Sequence, residues 1–323
     1  MRCRKIVFRS KNSIPIFIIF FWVIFFASVA RAEMASNDGA VEDEIVFEKP
    51  GKYDFIKNIT PDYTLFWGQT FSRSNILNLA GIALATGILV YYDEPLVEEA
   101  QRLGDRLHIS QKTKNLQGFP FLELPSDFGT SLYFIGDGAV DIGIAAGFLT
   151  YGYYNDNSRA LQTASQLAEG MVNVGIIVQV LKHSFGRTSP RPSNNKDKWT
   201  PFPSLKEYHQ HVPSYDAYPS GHLATSMMTF TVLTENYPEN KFIRPVGYTL
   251  MGLLSFQMLN NGVHWASDYP LAIYIGHAFG KIAASRGKKR KKDKPETSEF
   301  GSWCISPYFS EENDIGISFN HLF

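Results

Sequence analysis

The sequence predicts an all-α helical bundle, and three observations carry that prediction. Apolar stretches of helical length fall at about 74–92, 132–154, 161–181, 223–236, 245–260 and 270–285. Several are rich in Gly and Ala, which suits close helix packing. No strand-type alternation competes with them before residue 300. The composition agrees: of 323 residues, 44% are apolar and only 19% charged, which allows a sizeable core and excludes a disordered chain. A mean hydropathy of -0.14 is too low for a chain made wholly of membrane spans but allows two or three. With 31 basic and 31 acidic residues the formal charge is zero, so the global basic footprint of a nucleic-acid binder is absent.

Taken in order, residues 1–32 hold six basic side chains and no acid, leaving 25 against 31, or −6, for the rest. Arg2, Arg4, Lys5, Arg9 and Lys11 precede an uncharged run, Ile14–Ala30, and Ala30-Arg31-Ala32 fits a small-x-small cleavage site. The run is also just long enough to span, so this segment reads as a signal peptide or an uncleaved anchor. Either sends the chain across a membrane. The cysteines are Cys3, inside the leader, and Cys304, so processing would leave one thiol, an apolar filler, and no internal disulfide. Residues 33–73 read as an acidic lead-in, loosely ordered, with eight acids against three lysines in Glu33–Asp62. Ser74–Tyr92 is a charge-free helix that Asp93-Glu94-Pro95 should end, and residues 95–128 are mixed, broken by Gly118, Pro120 and Pro125. Only Ser74–Tyr92 and Pro245–Val263 are uncharged for 19 residues. Asp137, Asp141, Glu169 or Lys281 interrupts the others, so residues 74–285 are expected to form a largely water-facing, membrane-associated bundle rather than six full spans. In the tail, 286–323, Arg286–Lys294 has seven basic residues in nine, suited to an anionic membrane face or equally to a solvated linker. Ile305–Phe309 and Ile315–Phe319 could close as a short β-hairpin.

Chemistry concentrates in residues 182–268. Lys182, Arg187 and Arg191 follow one another at the end of an apolar helix. Cations there suit the helix dipole, and three together also suit a phosphate dianion. Tyr218-Pro219-Ser220-Gly221-His222 leads into the next helix. Ser220 is a good N-cap, while a Ser-Gly turn at a helix start also presents free N–H groups to an anion, with His222 beside it for proton transfer. Gly262-Val263-His264-Trp265-Ala266-Ser267-Asp268 lies between two apolar helices. Asp268 is a natural N-cap for the helix near Pro270; alternatively it orients His264 and leaves the far ring nitrogen as a nucleophile.

In order and spacing these three motifs resemble the type 2 phosphatidic acid phosphatase superfamily, which includes bacterial acid phosphatases and vanadium haloperoxidases. The family pattern is Lys-x6-Arg-Pro, Pro-Ser-Gly-His, then Ser-Arg-x5-His-x3-Asp, and the resemblance covers about residues 130–285. Two departures stand out. Eight residues rather than six separate Lys182 from Arg191-Pro192, so Arg191 or Arg187 could fill the arginine position, and Pro192 favours Arg191. The third motif lacks its arginine: Met258 stands six before His264, and Gln257 replaces the serine. Losing one charge-assisted contact should cost roughly 1.5–3 kcal/mol.

The resemblance implies a helical bundle of the acid phosphatase/vanadium haloperoxidase type. It implies that Lys182, Arg191 (or Arg187), Ser220 and the Gly221 N–H hold the phosphoryl oxygens, His264 oriented by Asp268 attacks phosphorus, and His222 protonates the leaving group. No cofactor and no metal is expected. The insert Ser193–Ala217, with His209 and His211 two apart, reads as a lid rather than a metal site. The expected function is an exported phosphohydrolase of phosphomonoesters or diphosphates, lipid-linked, working on the outer, periplasmic side of the inner membrane. The alternatives are a vanadate-dependent haloperoxidase and a phosphate- or lipid-binding homologue that has lost turnover.

Overall fold

The computed structural model describes residues 45–112, 115–119, 122–191, 198–290, 303–309 and 315–321. The expected leader and the packing of Cys304 lie outside what is described. Among the described residues the order is β1 (Ile45–Phe47), α1 (Asp54–Lys57), α2 (Ile59–Thr70), α3 (Ile76–Arg106), β2 (Asn115–Phe119), β3 (Leu122–Pro125), α4 (Phe128–Phe134), α5 (Gly138–Tyr154), α6 (Ser158–Phe185), α7 (Leu205–Gln210), α8 (Gly221–Asn236), α9 (Ile243–Asn260), α10 (Tyr269–Ser285), β4 (Lys288–Arg290), β5 (Trp303–Phe309) and β6 (Ile315–His321). The described residues divide into two compact units, the larger running from Phe47 to Lys288 and the smaller holding residues 45–46, 289–290, 303–309 and 315–321. The larger is the expected helical bundle. In the smaller, β5 and β6 form the expected hairpin, antiparallel from Phe309↔Ile315 to Trp303↔His321.

Four expectations are corrected. Asp93-Glu94-Pro95 does not end a helix: α3 continues through Pro95 to Arg106. Its second half is held by packing, because Asp93, Leu96, Val97, Ala100 and Gly104 are buried on one face at helical spacing. The described part of the acidic lead-in, from residue 45 on, is not loose: Asn58 donates to Glu169 at 2.6 Å, and α2 packs Phe66 flat against Phe279 with ring centroids 4.4 Å apart. Its Asp62 is fully buried, paired with Arg286 at 2.5 Å and bonded by Asn173 at 2.8 Å. Strand structure does precede residue 300, as the antiparallel pair β2–β3 and the ladder of β1 with β4. The first residues of the basic run are neither solvated linker nor membrane face: Arg286 holds Asp62 and Lys288 donates to the Glu235 carbonyl.

The core is built around α8 and α10, flanked by α6. Glycine permits this closeness. A Cβ on Gly276 would collide with the Ala224 carbonyl and come within 3.0 Å of the Met228 nitrogen, and one on Gly280 would meet Thr231 Cβ at 2.6 Å. The stretch 132–154 becomes two helices bent by 64°. At the bend, Gly136 abuts His222 Cβ, and Asp137 caps α5 by accepting from Ala139 N at 2.8 Å. Among the described residues two helices, α3 and α6, are long and apolar enough to cross a membrane, or three if the bent pair counts as one span. Only 6% of the apolar stretch of α3 is covered by the protein, and Leu77, Leu84, Ile88 and Tyr91 stand exposed along it.

Because α8 and α10 meet backbone to backbone, Gly276→Ala should lower stability by about 1–3 kcal/mol through overpacking. Chemical unfolding of the variant beside the parent checks this.

Candidate active site

Motif one ends α6. Lys182 lies in the last turn, and Gly186 adopts the left-handed conformation at φ 55° that closes the helix, its N–H returning to the Lys182 carbonyl at 2.8 Å. That turn sends the next residue inward. Arg187 is 2% exposed, with one terminal nitrogen 2.5 Å from Asp268 Oδ1 and 2.6 Å from Ser267 Oγ, and the other 2.5 Å from Asp93 Oδ2. The Trp199 ring covers it, 4.5 Å from guanidinium to centroid. Arg187 thus lies among carboxylates behind the histidine. Arg191 instead clamps the turn before His264, donating from Nε to the Asn261 carbonyl at 2.6 Å and from its backbone to Gly262 O at 2.9 Å.

Motif three follows from how α9 stops. Val263 N bonds Met258 O and Gly262 N bonds Leu259 O, both at 3.1 Å, with Gly262 at φ 65°. This is the paired C-terminal bonding for which a left-handed glycine is favoured. His264 emerges next, 2% exposed. Its Nδ1 lies 2.8 Å from the Ala217 carbonyl and 3.3 Å from Asp268 Oδ2. Both neighbours are acceptors, so Nδ1 carries the proton and Nε2 holds the lone pair. Asp268 does not cap α10. Its Oδ2 accepts from Trp265 N at 2.8 Å as well as facing His264, and its Oδ1 takes Arg187.

Motif two opens α8. Ser220 is fully buried and caps the helix, accepting from Leu223 N at 3.4 Å, and its Oγ also lies 3.5 Å from Met258 Sδ. The residue that replaces the family's arginine therefore sits against the serine. At Gly221 an added Cβ would lie 3.8 Å from Lys182 Nζ, which places that ammonium beside the start of α8. His222 lies tilted against Tyr133 at 4.5 Å and stands 6.4 Å from His264, centroid to centroid. Burial, and then the neighbouring His264 and Lys182, push the His222 imidazole down to about 3. Lys182 in turn is paired with Asp216 at 3.3 Å.

The structure thus gathers Lys182, Ser220, Gly221, His222 and His264, sets Asp268 behind His264, and places Arg191 on its preceding turn. The described part of the insert is tied to the end of α6 and the residues after it: Thr188 N bonds Lys198 O, Thr200 N bonds Gly186 O and Ala217 N bonds Arg187 O. Sequence reasoning missed three groups. Asp93 also accepts from Ser267 N and Oγ at 3.1 and 2.7 Å, and its signal was an acid at the end of a 19-residue uncharged run. Asp216 and Tyr133 sit among ordinary residues and gave none. Among the described residues no group of three His, Cys, Asp or Glu side chains is placed to hold a metal ion.

These motifs in this geometry find a match. Residues 163–292 match the family model of the PAP2 superfamily. The matched stretch includes every motif residue from Lys182 to Asp268 and leaves out Asp93 and Tyr133, which α3 and α4 contribute. The chain is also similar to two solved structures. One is LpxE of Aquifex aeolicus, at 20% identity and a TM-score of 0.36, covering 49% of this chain and 84% of that one. The other is a transmembrane PAP2 type phosphatidylglycerolphosphate phosphatase from Bacillus subtilis, at 13% identity and 0.39, covering 72% and 95%. No curated protein matches the chain.

Two outcomes follow. Asp93→Ala strands a buried guanidinium, so thermal or chemical unfolding should show a loss of about 3–5 kcal/mol. His222 binds its proton less readily folded than unfolded, where its value is about 6.5. Between about 6.5 and 3 the unfolded chain therefore holds more protons, and this contribution is lost as pH falls. Melting temperature should drop on acidification from neutrality more steeply in the parent than in His222→Gln.

Proposed function

We propose that this pocket is the active site of a membrane-associated phosphohydrolase acting on lipid-linked phosphomonoesters or diphosphates. The observation that carries the reading is the His264 ring, whose Nδ1 proton is held between two acceptors so that Nε2 keeps its lone pair, with the His222 ring 6.4 Å away and Lys182 beside the start of α8. Nε2 attacks phosphorus, the bond to the ester oxygen breaks, and a phosphohistidine forms. Asp268 stabilises the positive charge this leaves on the ring, and Arg187 keeps the carboxylate in place. Ser220, the N–H groups opening α8, Lys182 and Arg191 offset charge on the phosphoryl oxygens. Water then attacks the phosphohistidine, releasing phosphate and restoring the ring.

His222 has the position of the general acid and must be protonated to serve. Burial and the neighbouring His264 and Lys182 favour its neutral form. An arriving phosphoryl dianion reverses the local field, favours the imidazolium and so supplies the acid when a leaving group needs it. The lipid-linked substrate is supported by the outward apolar face of α3 and by the two helices of spanning length. Export and an outward-facing site rest on the leader.

A phosphate-release panel of a lipid phosphate, an isoprenyl diphosphate and a chromogenic ester tests the reading. Purified parent protein should release phosphate from the lipid substrates, His264→Ala should release none above background, and His222→Ala should fall about 10²–10⁴-fold. A parent inert on all three substrates, or a fully active His264→Ala, would overturn it.

A further inference from the structure

We propose that Asp216 is a specificity-determining residue that pairs with Lys182, sets the site against small phosphate dianions and leaves affinity to the apolar part of a lipid-linked substrate. The inference rests on the function proposed above and deepens it. Its first ground is contact. Asp216 Oδ2 lies 3.3 Å from Lys182 Nζ, and the two side chains are only 27% and 13% exposed, so the pair is partly shielded from water. The second is fixation. Asp216 bridges the backbone of Arg187, and the next residue, Ala217, bonds Arg187 O and accepts from His264 through its own carbonyl. The carboxylate is therefore tied to the same backbone as the nucleophile.

The third ground is the charge balance around the pocket. Lys182, Arg187 and Arg191 supply three cations, and Asp93, Asp216 and Asp268 supply three carboxylates. Arg187 is engaged by Asp93 and Asp268, Met258 stands where the family pattern has an arginine, and Lys182 is shared with Asp216. Leaving the imidazoles aside, the fixed charges sum to zero. A neutral pocket gives a dianion little Coulomb affinity, so a compact soluble ester or free phosphate binds weakly. A lipid substrate draws affinity from outside the pocket, and its phosphate product leaves without that help.

Calorimetric titration with inorganic phosphate at mildly alkaline pH, where it is a dianion, tests the first half without requiring turnover. Asp216→Asn should bind phosphate about tenfold more tightly than the parent, and Asp216→Glu should bind as weakly as the parent. Should Asp216→Asn not fold by circular dichroism, Asp216→Ser carries the same test. Steady-state kinetics test the second half: KM should fall about tenfold for a chromogenic ester in Asp216→Asn and markedly less for a lipid phosphate in mixed micelles. Unchanged or weaker phosphate binding in the neutral variants, or an equal fall in KM for both substrates, would overturn the inference. Tighter phosphate binding by a variant whose parent hydrolyses nothing would sink the proposed function while leaving the role of Asp216 in anion binding standing.

Discussion

The guanidinium of Arg187, shut between two carboxylates, is the constraint on which the rest of the structure depends. A buried arginine is tolerable only where its charge is matched and its donors are taken. Here Asp93 and Asp268 match it, Ser267 takes part of it, and Trp199 covers its face. These partners come from α3, from the start of α10 and from the insert, elements far apart in sequence. Their meeting fixes how the bundle closes around the end of α6. The same contact fixes Asp268, and Asp268 faces His264 Nδ1. Fold stability and the orientation of the candidate nucleophile therefore rest on one ionic cluster, and neither can be altered alone.

On the opposite side of His264 the physics differs. Lys182, His222 and Asp216 are only partly buried, and their interactions are long-range or loosely paired. This is where an arriving anion would rearrange charge at small structural expense. A rigid back and an adjustable front suit a site in which one imidazole must hold a single tautomer while the other changes its protonation state. Met258 belongs to the rigid part: it is fully buried in the core cluster and touches Ser220. Its presence withdraws a cation from the pocket and adds packing beneath the serine.

The sequence made the helices legible because apolar stretches between charged residues need one face buried, and α6, α8, α9 and α10 lie close to where that pattern puts them. It misplaced what long-range partners decide. Asp93-Glu94-Pro95 carries every local sign of a stop, yet the buried faces of Leu96, Val97 and Ala100 hold the helix together beyond it. Asp62 looked like part of a loose acidic stretch because Arg286, its partner, lies more than two hundred residues away. The histidines and Ser220 were legible because their residue types and spacings have few other uses. The Ala217 carbonyl, the shortest contact to His264, was not, since a backbone acceptor leaves no trace in residue identity. On paper only Pro192 favoured Arg191 over Arg187. The left-handed turn at Gly186 separates them, sending one into the carboxylates and the other onto the Asn261–Gly262 turn.

The two faces of α3 join the ionic cluster to the proposed substrate. From Ile76 to Tyr92 the helix presents apolar side chains outward, and from Asp93 it turns a face into the protein. At 1.5 Å per residue, the outward part is about 25 Å long, close to the hydrocarbon thickness of about 30 Å that a bilayer presents. In a bilayer spanned by that stretch, Asp93 would stand near the level where acyl chains give way to headgroups. Arg187, Asp268 and His264 are linked to it by direct contacts, so the candidate nucleophile falls near the same level. A lipid phosphate occupies that depth while its chains remain among apolar side chains. Position along one helix thus supplies a physical reason for a site whose fixed charges balance: a substrate held by its hydrocarbon needs little attraction at its phosphate.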